Sequence, residues 1–235
     1  MPGMTQLHCI PRWLNTYILM APQCHYCQPP LDLLDKKLMM NLPEPVILRG
    51  KYIQLEPMTL DHVDGLAYAG RDESIWTYML YGKVTTVEKM LAFVEDILGR
   101  KSAGTDEPFI VRDLASGKVI GATRYLNISR KDHAVEIGGT FYDVDFQRSY
   151  ANTEAKYLLL KNAFEVLGCI RVQFKTDARN MRSLKAIERI GAKHEGVLRN
   201  HMILPDGTLR DSVYFSILPN EWPQIKQNLE ARLNY

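Results

Sequence analysis

The residues whose types and spacing are best suited to chemistry are Gln147 to Thr153, a short polar junction between a strand-like run and an apolar-periodic helix. Asn152 or Thr153 is a good N-cap, and Arg148 adds a positive charge. Amide N–H groups at a helix N-terminus lack intrahelical partners and, together with the helix dipole, they bind anions such as phosphate. Many ordinary strand–helix turns that bind no ligand share this composition. The preceding strand is therefore needed to distinguish an anion-binding turn from an ordinary one.

That preceding strand contains two adjacent glycines, Gly138 and Gly139, within the stretch EIGGTFYD. Glycines inside a strand mark a bulge or the close approach of a ligand. A bulge here would part this strand from the later stretch CIRVQFKTDA and leave backbone donors and acceptors free. A gap of this kind, ending in an anion site, suits an extended amide-bearing ligand such as a pantetheine arm with its pyrophosphate.

The elements that must position these residues follow from periodicity and punctuation, and they predict one α+β domain over residues 46–218 with a helix in 219–235. The predicted strands are 46–48, 52–55, 109–112, 119–126, the run HAVEIGGTFYDV, 170–174, 192–204 and 209–218, and the predicted helices are 60–69, 87–100, 153–167, 180–190 and 220–233. The strand–helix–strand unit near 135–177 implies one parallel crossover in an otherwise antiparallel sheet.

Composition sets the class of protein. Apolar residues make up 46% of the 235 residues and charged residues 24%, which is typical of a soluble globular chain. The 29 basic and 27 acidic residues give a net charge of +2, without the basic footprint of a nucleic-acid-binding domain. No apolar run is long enough to span a membrane, and 4 cysteines do not form a disulfide framework. We therefore predict a cytoplasmic protein without nucleic-acid or membrane partners.

Residues 1–45 differ in character, because prolines interrupt their apolar runs, and we predict a poorly structured extension. Cys24 and Cys27 form half of a zinc-binding pattern, but no second pair follows at a suitable spacing, so no metal is predicted. Met39 and Met40 immediately precede the first well-patterned segment. One hypothesis is that translation begins there, which the intact mass of natively expressed protein would test.

Several stretches in order carry a family resemblance: LRGKYIQLEP (48–57), EIGGTFYD (136–143), NTEAKYLLLKNAFE (152–165), NMRSLKAIERIGAKHEG (180–196) and LPDGTLRDSVYFSI (204–217). Over residues 46–218 the chain resembles the GNAT acetyltransferases, in the branch that includes the ribosomal-protein N-terminal alanine acetyltransferases. A nucleotide-binding domain is a weaker interpretation, since neither G-x-G-x-x-G nor G-x-x-x-x-G-K-[ST] occurs.

The resemblance implies a GNAT-like fold, with a mixed, mostly antiparallel sheet of roughly six to seven strands, about four helices and splayed central strands. It implies transfer of an acetyl group from acetyl-CoA to a primary amine by direct attack in a ternary complex, with no metal. The residues it assigns to acetyl-CoA are Phe141, Tyr142, Gln147, Arg148, Ser149, Tyr150, Ala151, Asn152, Thr153 and Asn180. The acceptor, a peptide N-terminus or a small amine, stays open, as does the choice between monomer and homodimer.

Tyr150 departs from the family, which has a glycine at this place in its pyrophosphate loop. A left-handed tyrosine would cost about 1 kcal/mol and add bulk beside the phosphates. On this basis Tyr150→Gly is expected to tighten acetyl-CoA binding. The same departure supports the alternative of a CoA-binding GNAT-fold protein with weak or no catalytic activity.

Three residues are candidates for proton transfer. Ser183 lies where family members carry a hydroxyl that protonates the departing thiolate. Glu136, before the double glycine, and His201, on the closing hairpin, are alternative general bases. Some ribosomal-protein acetyltransferases carry a carboxylate one position after His201, but Met202 stands there, so the base is not assigned by resemblance.

Overall fold

The computed structural model describes Met40 and residues 46–235, all within a unit that runs from Met39 to Tyr235. The strands in this part of the chain are β1 (Leu48–Arg49), β2 (Ile53–Pro57), β3 (Glu107–Asp113), β4 (Val119–Ser129), β5 (Ala134–Tyr142), β6 (Arg171–Asp177), β7 (Lys193–Ile203) and β8 (Leu209–Ile217). The α-helices are α1 (Val63–Ala69), α2 (Val87–Ser102), α3 (Tyr150–Lys161), α4 (Met181–Arg189) and α5 (Trp222–Leu233).

The strands form one sheet in the order β1-β2-β3-β4-β5-β6-β8-β7. Neighbouring strands are antiparallel except β5 and β6, which α3 connects as the predicted parallel crossover. The α+β class and the GNAT-like fold are confirmed. Over the described residues, the 8 strands and 5 α-helices equal the number of segments predicted from periodicity, and they slightly exceed the six to seven strands and about four helices that the resemblance implied.

The two faces of the sheet carry different helices, and strand alternation decides which residues face which. On one side, here called the α3 face, α3 and α5 pack on residues such as Ile137, Val172 and Phe174. On the other side, the α2 face, α1 and α2 pack on Ile110 and Phe141. Glu136 alternates with Val135 and Ile137, which point to the α3 face, so its side chain lies on the α2 face.

The start of α3 differs from the prediction of a cap at Asn152 or Thr153. The N-cap is Ser149, whose Oγ accepts a hydrogen bond from Ala151 N at 3.2 Å, so the helix begins at Tyr150. Serine, asparagine and threonine are all good capping types, so residue type alone does not single out Ser149.

Two other helix ends also differ from the prediction. Residues 60–62 form a 3-10 turn before α1, and Glu221 rather than Asn220 precedes α5, where a proline near the N-terminus favours the helix start. Thr86 caps α2 and Asn180 caps α4.

The predicted extension, residues 1–45 with Cys24 and Cys27, and the proposed start at Met39 lie outside the described residues except for Met40. Met40 is described, and it packs in the core with its Sδ 3.6 Å from the buried thiol of Cys169. Among the described helices, none has the length and apolar character needed to cross a membrane.

Candidate active site

The central feature of the site is a wedge between β5 and β6. The two strands pair only at Ala134–Arg171, Val135–Val172 and Glu136–Gln173. Both strands continue beyond these pairs, to Tyr142 and Asp177, without pairing to each other. The predicted splay of the central strands is therefore present, and it leaves backbone groups on both sides of the wedge free to receive a ligand.

A β-bulge in β5 lies beside the wedge. Arg124 of β4 pairs with Gly138, but Ala122 pairs with Phe141, so β5 has one residue more than β4 over this interval. Gly139 has a φ of +56°, and a Cβ on it would lie 3.0 Å from Arg124 Nε. The bulge predicted from the two glycines is confirmed, and only glycine suits the conformation of position 139 without strain.

The N-termini of α3 and α4 both face the open end of the wedge, because each helix comes after the carboxyl end of one of the two parallel strands. Gln147 Nε2 donates to Tyr142 O at 3.2 Å, and Arg182 Nη1 donates to Gln147 Oε1 at 2.6 Å. The second bond joins the two helix N-termini across the mouth of the wedge. Arg182 was not predicted as a site residue, although its place in the first turn of the helix after β6 was available as a signal.

The junction before α3 has a different backbone from the one expected. Arg148, which is exposed, is the residue with a left-handed φ of 62°. Tyr150 is the first residue of α3 and is not among the described residues with positive φ, so the predicted strain at Tyr150 is wrong. The helix begins two residues after Arg148, which moves the sharp turn upstream of the tyrosine.

The side chain of Tyr150 is held on the α3 face. Its ring stacks on Tyr52 with centroids 4.9 Å apart, and its Oη donates to Asp113 Oδ1 at 2.5 Å. Burial and the neighbouring Asp113 carboxylate raise the pKa of Tyr150 to about 12. These contacts give the tyrosine a packing role in the fold.

The other residues predicted for the cofactor differ in what they present. Phe141 is buried against Trp76, with ring centroids 5.1 Å apart, and Tyr142 is buried with its hydroxyl unbonded in the described part of the chain. Ala151 is also buried. Only the backbone of these three residues is suited to a ligand, whereas Asn152 and Thr153 are half-buried in the first turn of α3.

Asn180 and Ser183 lie at the start of α4. Asn180 Oδ1 accepts from Ser183 N at 3.0 Å, which is an ordinary helix cap. Both residues are half-buried. The amide nitrogen of Asn180 and the hydroxyl of Ser183 have no hydrogen-bond partner within the described residues, so the cap leaves both groups available to a ligand.

Glu136 is the centre of a buried network on the α2 face. It is 3% exposed, and its Oε2 accepts from Asn127 Nδ2 at 3.0 Å and from Gln173 Nε2 at 2.9 Å. Lys175 Nζ lies 3.6 Å from Oε1. The carboxylate thus accepts hydrogen bonds from two side-chain amides and lies beside one cation.

His201 belongs to the same network and is half-buried. Its Nδ1 lies 3.0 Å from Ser212 Oγ, and Tyr214 Oη lies 3.4 Å from its Nε2. Burial lowers the pKa of His201, and the positive charges of Lys175 and Arg210 lower it further, against an opposing effect of Glu136. The imidazole is therefore neutral at neutral pH.

The structure brings two of the three candidate catalytic residues together. Lys175 links them, since it pairs with Glu136 and lies over the ring of Tyr214 at 5.9 Å, next to His201. Ser183 stands apart from this network, at the N-terminus of α4. Within the described residues, no group of three or more His, Cys, Asp and Glu side chains is arranged to hold a metal ion.

Comparison with known proteins identifies the family. The family profile of the Acetyltransferase (GNAT) domain matches residues 53–193. A GCN5-related N-acetyltransferase from Brucella melitensis is 32% identical with a TM-score of 0.75, covering 80% of this chain and 86% of that one. The chain belongs to the GNAT acetyltransferases, and it is an acetyltransferase.

Other relatives are more distant. Uncharacterized N-acetyltransferase p20 of Bacillus licheniformis is 25% identical over 170 residues, 72% of this chain and 94% of the relative. Mycobacterium smegmatis RimJ, solved in complex with CoA-disulfide, shares the fold at 18% identity and a TM-score of 0.67, covering 80% of this chain and 92% of that one. Solved structures with this fold also include a ribosomal-protein-S5-alanine acetyltransferase from Vibrio fischeri, at 20% identity and a TM-score of 0.63, covering 75% of this chain and 98% of that one.

Proposed function

We propose that the protein transfers the acetyl group of acetyl-CoA to a primary amine, in a ternary complex formed in the wedge between β5 and β6. The observation that carries this proposal is the three-pair ladder between β5 and β6, with a bulge beside it and two helix N-termini at its open end. A partner of this shape is long, rich in amides and anionic at one end.

The fit to acetyl-CoA can be stated residue by residue. The amides of the first turn of α3, with Arg148 and Arg182, would bind the pyrophosphate. The unpaired backbone of β5 and the amide nitrogen of Asn180 would bind the pantetheine arm. Bound acetyl-CoA supplies the activated thioester. Tyr150 stacks on Tyr52 and does not have a left-handed backbone conformation. The backbone strain that favoured a CoA-binding protein without catalytic turnover is therefore absent.

The chemistry then depends on the surrounding groups. A neutral amine attacks the thioester carbonyl, and a backbone N–H at the bulge, around Gly139 to Phe141, would stabilise the developing oxyanion. The hydroxyl of Ser183 would donate a proton or a hydrogen bond to the departing thiolate. The amine proton has to leave on the α2 face, where Glu136 and His201 lie.

Of these two, we favour His201 as the general base. The Glu136 carboxylate is engaged by three neighbours, so its main effect is to fix Lys175 and the network. With its proton on Nδ1 toward Ser212, the imidazole of His201 presents its lone pair on Nε2, where the Tyr214 hydroxyl lies 3.4 Å away. Glu136 would then act as a positioning residue. A peptide N-terminus or small amine as the acceptor, a cytoplasmic location and a monomer or homodimer remain predictions.

The test is direct. Purified full-length protein is mixed with acetyl-CoA and a panel of peptide N-termini and small amines, thiol release is followed, and products are identified by mass. We expect thiol release that depends on the acceptor and a product 42 Da heavier, the mass added by one acetyl group in place of a hydrogen. Saturable CoA binding without an acetylated product on any acceptor would contradict the proposal.

A further inference from the structure

Arg210 is a buried arginine that has no carboxylate within ion-pair distance among the described residues. It lies near the start of β8 and is 5% exposed. Its one side-chain hydrogen bond among the described residues is donated by Nε to Ser212 Oγ, at 3.1 Å. No carboxylate of the described chain lies within ion-pair distance, so its two Nη groups have no acceptor there.

The carboxylates nearest to Arg210 are already engaged by other cations. Glu136 pairs with Lys175 at 3.6 Å, and Asp177 pairs with Arg179 at 2.7 Å. Both carboxylates act on Arg210 only from beyond ion-pair distance, and each has a closer cation, so neither is a direct partner of the Arg210 guanidinium. Burying an unpaired guanidinium is costly, and burial lowers its pKa, so a buried arginine is ordinarily matched by an anion.

The position of Arg210 relates that anion to the acceptor. Ser212 Oγ lies 3.1 Å from Arg210 Nε and 3.0 Å from His201 Nδ1. The Arg210 guanidinium and the His201 imidazole therefore both contact the hydroxyl of Ser212. An acceptor whose amine is within reach of His201 would place an adjacent group at Arg210.

We infer that the acceptor carries a carboxylate close to its amine, and that Arg210 binds it through the planar fork of its Nη groups. This inference rests on the proposed function. The carboxylate is the α-carboxylate of a free amino acid or the side chain of an acidic second residue in a peptide. A polyamine is disfavoured, because its further positive charges would meet the positive charge of Arg210.

The experiment compares matched acceptors that differ only in charge. Alanine is paired with alaninamide, and an Ala-Asp peptide with its Ala-Asn counterpart, each rate being corrected for the fraction of neutral amine. We expect kcat/KM to favour the carboxylate member of one pair by about tenfold to hundredfold, the range for a charge-assisted hydrogen bond. The pair that shows the preference identifies which carboxylate Arg210 binds.

Variants assign the preference to the residue. In Arg210→Gln the preference should fall toward one, and in Arg210→Lys it should be partly retained. The exposed Arg232, on the opposite face of the sheet, provides the control, and Arg232→Gln should keep the full preference. Melting curves of each variant separate a loss of recognition from a loss of folding.

Failure of this inference differs from failure of the proposed function. Equal kcat/KM for both members of both pairs, with transfer intact, would overturn the role of Arg210 and leave the acetyltransfer proposal standing. If no acceptor is acetylated, the inference is tested by ligand binding instead. In the presence of CoA, the carboxylate acceptor should raise the melting temperature of the protein more than its amide counterpart does. Equal melting shifts would also overturn the inference.

Discussion

At the scale of single residues, Lys156 is the least expected feature. It lies on α3, is 7% exposed and has no carboxylate beside it, and its Nζ donates to Thr140 Oγ1 at 2.8 Å. Thr140 is on the bulge of β5, and its hydroxyl lies 2.8 Å from that of Thr123. Burial lowers the pKa of Lys156 to about 7. The amine thus holds the bulge in place at an electrostatic cost.

Replacing Lys156 by methionine should stabilise the fold and alter its dependence on pH. Between pH 7 and the ordinary lysine pKa of 10.5, the unfolded chain binds a proton that the folded protein does not, so the wild type gains stability as pH rises through this window. Lys156→Met should lack that gain and be more stable at pH 7, by on the order of 1–4 kcal/mol.

Urea unfolding at pH 7, 8 and 9 measures this difference. Lys161→Met, on the exposed side of the same helix, is the control and should keep the wild-type slope. Parallel stability curves for wild type and Lys156→Met would contradict the prediction.

A second prediction at this scale concerns the two candidate general bases, Glu136 and His201. Since the pKa of His201 is lowered, its protonation should produce an acid limb in kcat/KM below pH 6.5, with activity lost as pH falls. In His201→Gln that limb should disappear and the rate should fall by about 100-fold or more.

Glu136→Gln is the matched comparison, because it removes the neighbouring charge and keeps the imidazole. It should retain an acid limb, at lower pH because the effect of Glu136 that raises the His201 pKa is gone. If the limb instead vanishes in Glu136→Gln and persists in His201→Gln, the roles of the two residues are reversed.

At the scale of elements, two parallel strands and the helices that come after them make the site. α3 begins after β5 and α4 after β6, so two helix N-termini meet at one end of the wedge. Arg182 of α4 reaches Gln147 before α3 and places a guanidinium between them. Its charge and the helix amides would act on the same anion.

Removing that guanidinium should weaken acetyl-CoA binding selectively. For Arg182→Ala we expect KM for acetyl-CoA to rise by about 5- to 50-fold with a small change in kcat, as for loss of one charge-assisted hydrogen bond. Arg189→Ala, at the exposed far end of the same helix, should leave KM unchanged. An unchanged KM in Arg182→Ala would exclude the helix α4 terminus from the phosphate site.

The sequence predicts these elements to different degrees, for physical reasons. The glycine pair is a local signal, and the bulge predicted from it is present. The predicted start of α3 is misplaced because several capping types lie close together there. The prediction for Tyr150 is wrong because its partners, Tyr52 and Asp113, are distant in sequence. The contacts of Lys156 and Arg182 are likewise tertiary.

At the scale of the whole molecule, Glu154 joins distant parts of the chain. It is fully buried on α3 and accepts hydrogen bonds from the backbone N–H groups of Lys51 (2.7 Å), Tyr52 (2.9 Å) and Ile53 (2.7 Å). The hydroxyl of Tyr235 donates to the same carboxylate. One side chain thus fixes the turn between β1 and β2, and Tyr235 two residues beyond α5, to the helix that begins at the wedge.

Glu154→Gln should therefore destabilise the whole unit. A glutamine offers one acceptor oxygen and turns an NH2 group toward backbone donors, which leaves buried N–H groups without partners. We expect a loss of about 2–4 kcal/mol, seen as a lower urea midpoint. Glu188→Gln, exposed on α4, should have no measurable effect, and a wild-type midpoint for Glu154→Gln would show that the carboxylate charge is not needed.

The brevity of the β5–β6 ladder has a mechanical consequence. Three residue pairs make a seam about 10 Å long, whereas β5 runs on for the six residues after Glu136, about 20 Å. If the two halves of the sheet rotate relative to each other about this ladder by about 5°, the far end of β5 moves by about 2 Å relative to β6. A small change in the angle between the two halves of the sheet would therefore produce a larger displacement at the open end of the wedge, where a phosphate would bind. The width of the wedge at the ligand is thus set by the angle at the β5–β6 ladder.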